Sequence, residues 1–248
     1  MHIVKEPDDT IGDDSPPEQV VAWALERFAG RELVVTTSFG MEGCALIDMV
    51  AAHRRPVRVV YLDTMFLFPE TYALRDRMVE RYPHLTFENR GTSLTPAEQE
   101  RLFGPELWRQ DPDACCRLRK VEPMRAALAG VDVWVTGLTR SQSASRSALE
   151  VVGWDWQYQL VKVNPLATWN RSQVWEYVRT RGVPYNELHD RGYPTIGCTH
   201  CTLAVAGSEI GEYSREGRWT GEHKTECGLH HIAPRRSAVG GTRVPEPF

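Results

Sequence analysis

The chain has 248 residues, 42% hydrophobic and 25% charged, enough to bury one full core as a single α/β domain with short appendages. A formal net charge of −4 argues against general nucleic-acid binding, and no apolar run is long enough to span a bilayer. The acidic start MHIVKEPDDTIGDDSPPEQ lacks the basic and apolar regions of a signal peptide, so a cytoplasmic location that keeps thiols reduced is expected.

In chain order, residues 1–17 read as a flexible arm and 18–29 have helical apolar spacing. LVVTTS (33–38) is a β-branched run that ends in SFGMEG and passes into the helical pattern ALIDMVAAH. VRVVYLDT (57–64) predicts a second strand, and a helix follows from about Glu70 to Tyr82. LTFEN (85–89) predicts a third strand; VDVWVTG (131–137) predicts a fourth, after a helix carrying RKVEPMRAAL. YQLVKVNPL (158–166) predicts a fifth, and 170–182 a helix with Asn170 and Gln173 as a capping box and Gly182 as its stop. Strands alternating with helices imply a mostly parallel sheet covered on both faces. Ligands of such sheets collect at the carboxyl ends of the strands. The loops SFGMEG, LDT and TGLTRSQSASR each follow a predicted strand, so all three should open onto one crevice. The domain is expected to run over 18–206, and 207–248 to form a mobile C-terminal segment.

Four features carry chemistry. The first is Ser38-Phe39-Gly40-Met41-Glu42-Gly43, between strand and helix, where glycines and a helix N-terminus present backbone N–H groups to an anion. The second is the set Cys115-Cys116 and Cys198-x-x-Cys201. In a reducing compartment these thiols read as metal ligands. Adjacent helical residues diverge by about 100°, which suits separate irons of a polynuclear centre better than one zinc ion, though a structural zinc also uses four thiolates. The third is Glu226-Cys227-Gly228-Leu229-His230, with a thiol in a polar segment where Lys224, His223 and His230 are expected to favour thiolate. The fourth is the scattered cations Lys120, Arg140, Arg146, Arg215 and Arg218, which together could grip a multiply charged anion. Cys44, at apolar helical spacing, reads as a core residue.

SFGMEG, LDT (62–64), CCRLRKVEP (115–123), TGLTRSQSASR (136–146), GCTHCT (197–202) and ECGLH (226–230), in this order, resemble the motifs of adenosine 5′-phosphosulfate (APS) reductases. These belong to the sulfonucleotide reductase family, which has an adenine-nucleotide α-hydrolase fold. The resemblance implies a [4Fe-4S] cluster on Cys115, Cys116, Cys198 and Cys201. It implies Cys227 as the nucleophile that takes the sulfonyl group, and thioredoxin or a similar dithiol as reductant. Ser38, Phe39, Gly40, Glu42, Gly43, Asp63, Thr64, Lys120, Arg140, Arg146, Arg215 and Arg218 are the implied nucleotide contacts. The chain departs from the family pattern at Met65, at Leu203 and in a long tail beyond His230. Three other readings stay open: use of the 3′-phosphorylated substrate (PAPS), an ATP-dependent adenylating enzyme of the same fold, and a zinc-stabilised binding module. The sequence does not specify an oligomeric state.

Overall fold

The computed structural model, which describes residues 10–220, Lys224 and residues 226–230, pairs six strands into one sheet, the four central ones rich in β-branched residues. In chain order the larger elements are α1 (Pro17–Arg27), β1 (Leu33–Thr37), α2 (Met41–Ala51), β2 (Arg58–Tyr61), α3 (Pro69–Arg81), β3 (Thr86–Asn89) and α4 (Pro96–Phe103). The short helices α5 (Leu107–Gln110) and α6 (Pro112–Cys116) follow, then a π turn (Arg117–Val121) that runs into α7 (Glu122–Ala127). Next come β4 (Val133–Thr136), β5 (Val152–Asp155), β6 (Leu160–Val163) and α8 (Arg171–Arg181).

The strand order is β3-β2-β1-β4-β6-β5. All neighbours pair in parallel except β5, which lies antiparallel on β6 at the sheet edge. The expected α/β class is therefore what folds; β5 and α4 are additions. For α4 the signal was legible, because Thr95 and Glu98 form a reciprocal capping box. The box expected on α8 forms between Asn170 and Gln173, and Gly182 ends that helix in the left-handed region at φ 57°.

Successive strand residues point to opposite faces, and the core divides accordingly. Val35, Val59, Val133, Val135, Val161 and Val163 face the larger core with α1, α2, α3 and α8. Val34, Val60, Trp134 and Leu160 face a smaller one with Met124 and Leu128, where Leu229 also packs. Helices thus cover both faces. Residues 10–16 of the expected arm lie against the domain, with Ile11 on the core and Asp13 paired to Arg140. The expected distal tail lies outside the described residues. Among the described residues no helix is long and apolar enough to cross a membrane.

Candidate active site

The sheet order reverses between β1 and β4, whose carboxyl ends frame a cavity of about 220 Å³. Ser38, Leu62, Thr64, Thr136 and Arg146 all line it, so the three polar loops do meet in one crevice. The β1–α2 turn is tight. Phe39 takes a left-handed φ of 56°, and its N–H donates to Thr37 Oγ1 at 2.9 Å. Gly40 caps α2 without a side-chain hydrogen bond, so the start of this eleven-residue helix can present backbone N–H groups to an anion, although the Glu42 carboxylate takes up its own N–H. Two glycines are required for closeness. A Cβ on Gly43 would stand 2.5 Å from Thr37 Oγ1, and one on Gly137 would stand 3.1 Å from the backbone of Glu42 and Gly43.

A buried ion pair holds the start of α2. Arg171 Nη1 donates to Glu42 Oε1 at 2.8 Å, with both side chains less than 10% exposed. Burial alone would raise the Glu42 carboxyl, but Arg171 and the hydrogen bonds outweigh it and hold it below the ordinary carboxylate range. His189, beside Arg171, is pushed down to about 4 by burial and by that cation.

The C-terminal motif also lines the cavity, through Glu226, half-buried Cys227, Leu229 and His230. Glu226 accepts from Arg146 Nη2 at 2.9 Å and from Ser143 Oγ at 2.9 Å, and stands 3.6 Å from Arg215. Burial would raise the Glu226 carboxyl; Arg146 and Arg215 bring it below its usual range. The motif is therefore latched onto the TGLTRSQSASR loop, and Arg146 and Arg215 are ion-paired to it. Of the cations expected around Cys227, Lys224 pairs with Asp113, and His223 lies outside the described residues. His230 is not a cation at neutral pH. It stacks on Trp134 at 4.9 Å, and burial, with Lys162 and Arg146 nearby, drives its imidazole well below the usual range.

The four remaining motif thiols line a second cavity, separated from the first by Lys120, which lines both. Asp111 caps α6 by accepting the Ala114 N–H at 2.9 Å, so Cys115 and Cys116 close that helix just before it widens into the π turn. Thr64 Oγ1 lies 3.3 Å from Cys198 Sγ, which ties the LDT loop to the other cysteine pair. Burial and the facing thiols push Cys115 up to about 12 and Cys201 up to about 11. For Lys120, burial lowers the ammonium, but Cys198, Cys227 and Cys116 outweigh it and raise it above the usual lysine range. Arg119, 1% exposed, donates to Gln99 Oε1 and to the Thr64 carbonyl and keeps Nη2 without a partner.

Ser38, Gly40, Glu42, Gly43, Thr64, Lys120, Arg146, Arg215, Arg218, Cys198 and Cys227 thus come together, and Cys115, Cys116 and Cys201 lie just behind Lys120. Three expected contacts stand outside the cavity lining. Phe39 is buried against Tyr61, and Asp63 pins its own turn by accepting from the Met65 N–H and the Tyr72 hydroxyl. Arg140 donates to both carboxylate oxygens of Asp13 and to the Leu149 carbonyl. Sequence reasoning missed Gln142, Arg171, His189 and Tyr213, which also line the cavity. Arg171, His189 and Tyr213 sit in segments whose pattern gives no ligand signal, whereas Gln142 lies within the TGLTRSQSASR motif. Among the described residues six buried side-chain polar atoms lack a partner, and four of them, on Thr195, Arg215, Trp219 and His230, belong to residues of the cavity lining. Such orphans are rare in folded proteins and are satisfied by water, an ion or a polar ligand.

Residues 32–204 match the family described as the phosphoadenosine phosphosulfate reductase domain. The chain is 46% identical over 211 residues to the adenosine 5′-phosphosulfate reductase of Anoxybacillus flavithermus, a match covering 85% of this chain and 88% of the relative. It is 44% identical over 220 residues to the phosphoadenosine 5′-phosphosulfate reductase of Gloeobacter violaceus, covering 88% and 90%. Among solved structures, the phosphoadenylyl-sulfate reductase of Candida auris in a phosphate complex superposes with a TM-score of 0.67 at 33% identity, over 77% of this chain and 91% of that one. Yeast FAD synthetase, at 15% identity and a TM-score of 0.54 over 77% of this chain and 66% of that one, shares the fold alone. With the family match spanning most of its length, this chain belongs to the phosphoadenosine phosphosulfate reductase domain family.

Proposed function

We propose that this chain reduces adenosine 5′-phosphosulfate to sulfite and AMP in cytoplasmic sulfate assimilation, with Cys227 as nucleophile. One observation carries the reading: Cys227 lines the same cavity as the N-terminus of α2 and as Lys120, Arg215 and Arg218. The Cys227 thiolate attacks the sulfonyl sulfur. An S–S bond forms, the S–O bond to the phosphate breaks, and AMP leaves with that electron pair. Lys120 and Arg218 offset the charge that develops on the leaving phosphate oxygen. A thiolate of an external dithiol such as thioredoxin then attacks Cys227 Sγ and expels sulfite; its second thiol resolves the mixed disulfide, so the donor supplies both electrons.

On this reading Cys115, Cys116, Cys198 and Cys201 would hold a [4Fe-4S] cluster; among the described residues they line one cavity but are not drawn into a group that could hold a single metal ion. They are thiols from two segments that face one cavity, beside Lys120 and the unpartnered Nη2 of Arg119, which offset the charge of a thiolate-ligated centre. When bound, the cluster would supply a fixed local charge next to Lys120.

The test is sulfite release by anaerobically purified protein with thioredoxin, offered APS or PAPS separately, beside Cys227→Ser. The Gloeobacter violaceus relative makes PAPS the second substrate to offer. Sulfite from APS, and none from Cys227→Ser, supports the reading. Preference for PAPS changes the substrate and keeps the mechanism; activity in Cys227→Ser overturns it. A colourless protein holding zinc and no iron would remove the cluster.

A further inference from the structure

Two aromatic rings on the thiol cavity have no part in the chemistry above. Trp108 lies on α5, just before the helix that bears Cys115 and Cys116, and His200 lies inside the Cys198-x-x-Cys201 turn. The rings stack 3.9 Å apart with planes inclined by 10°. Phe66 meets both edge-on, at 5.4 Å from Trp108 and 4.8 Å from His200, and carries the Arg119 guanidinium on its face at 4.2 Å. All three rings line the cavity that holds the four thiols. Their exposure is graded: His200 is exposed, Trp108 half-buried, and Phe66, Cys115, Cys116 and Cys198 are all buried.

We propose that the Trp108–His200 stack, backed by Phe66, is a shield and clasp that joins the two cysteine-bearing segments and keeps solvent-borne reagents off their four thiols. The physical argument is short. The two cysteine pairs come from segments far apart in the chain. On the Cys198 side, the Phe66 carbonyl accepts the Thr199 N–H at 2.8 Å and Leu67 bridges to Cys198, which ties that segment to the loop after β2. The Trp108–His200 stack reaches across from α5 to the Cys198 segment. Planar rings in contact exclude water from the gap between them, and an aromatic pair is stabilising beyond the area it buries. Read with the cluster assignment, on which this part rests, the stack would also slow attack by oxygen.

The test uses the protein as purified anaerobically, with Trp108→Ala, His200→Ala and the conservative Trp108→Phe. Iodoacetamide labelling of each cysteine is followed by mass spectrometry, and loss of visible absorbance in air is followed in parallel. We expect the alanine variants to label Cys115, Cys116, Cys198 and Cys201 about ten-fold faster, the order of one lost aromatic pair, and Trp108→Phe to restore most of the protection. Cys44, fully buried in α2 and outside this cavity, is the internal control and should keep its parent rate. Parent rates at the four thiols would overturn the shield, and so would equal acceleration at Cys44, which would mean general loosening. If the parent holds no iron, the cluster assignment falls, while the labelling still decides the shield.

Discussion

Replacing Glu42 by Gln keeps the shape of the side chain and removes its charge, which strands the Arg171 guanidinium. That guanidinium is 4% exposed and 2.8 Å from the carboxylate, so water cannot take over. Two carbonyls remain for it, Ile210 O and Pro194 O, both at a long 3.3 Å, with the His189 ring at 3.4 Å. Breaking a buried pair by removing one partner costs about 3–5 kcal/mol, and the carbonyls place this case near the lower end, at about 3. For a domain of this size each kcal/mol moves the melting temperature by about 2–4 °C, so Glu42→Gln should melt about 6–12 °C below the parent. Glu176→Gln is the control: its pair with Arg179 lies on an exposed helix face, and its loss should lower the melting point by about 1–2 °C at most. The pH dependence follows from the depressed Glu42 carboxyl. Its contribution is fully present above the unfolded carboxylate value, about 4.3, and is lost as the pH falls through the lower folded-state value. The gap between parent and variant should thus be flat from about pH 5.5 to 8 and close in stronger acid. His189, at about 4, weakens both proteins as the pH falls from about 6.5 toward 4, because the unfolded ring binds a proton that the folded ring refuses. The difference between the two melting curves is therefore the diagnostic quantity. A Glu42→Gln protein melting within about 2 °C of the parent at pH 7 would refute the reasoning.

Gly137→Ala should push β4 away from the start of α2, because its Cβ would meet Glu42 and Gly43 backbone atoms at 3.1 Å. AMP affinity by calorimetry should fall about ten-fold with the fold retained, within the usual range for overpacking. Lys162→Met should strand Asp155, whose buried carboxylate is 2.8 Å from Lys162 Nζ and also accepts the Gln157 and Tyr158 N–H groups. A loss of about 3 kcal/mol by urea denaturation is expected, and the double variant with Asp155→Asn should recover part of it. Arg140→Ala, in contrast, should change KM for the nucleotide by less than about two-fold, since its guanidinium is committed to Asp13 and Leu149 outside the cavity. A larger rise would restore Arg140 to the substrate contacts.

What the sequence determined by itself is the local part of this protein. Period and turn chemistry are short-range, so LVVTT, RVVY and LVKV read as strands and the Asn170 box as a helix start before any packing is known. The alternation of elements implied a parallel sheet, and hence that loops after β1, β2 and β4 would open on one side. Motif order brought Cys227, the cysteine pairs and the glycine turn into view for the same reason: each is a contiguous word.

Tertiary structure alone decided which charges meet. Arg171 begins an ordinary capped helix, yet packing across α2 and α8 buries it against Glu42. Arg140 and Arg146 lie in one loop, but its two tight turns send the first to Asp13 and the second to Glu226. The Trp108–His200 contact joins residues in unrelated segments, and no periodicity encodes it. Side-chain partners of this kind depend on where distant segments are brought by the sheet order, and a linear pattern carries no term for that distance.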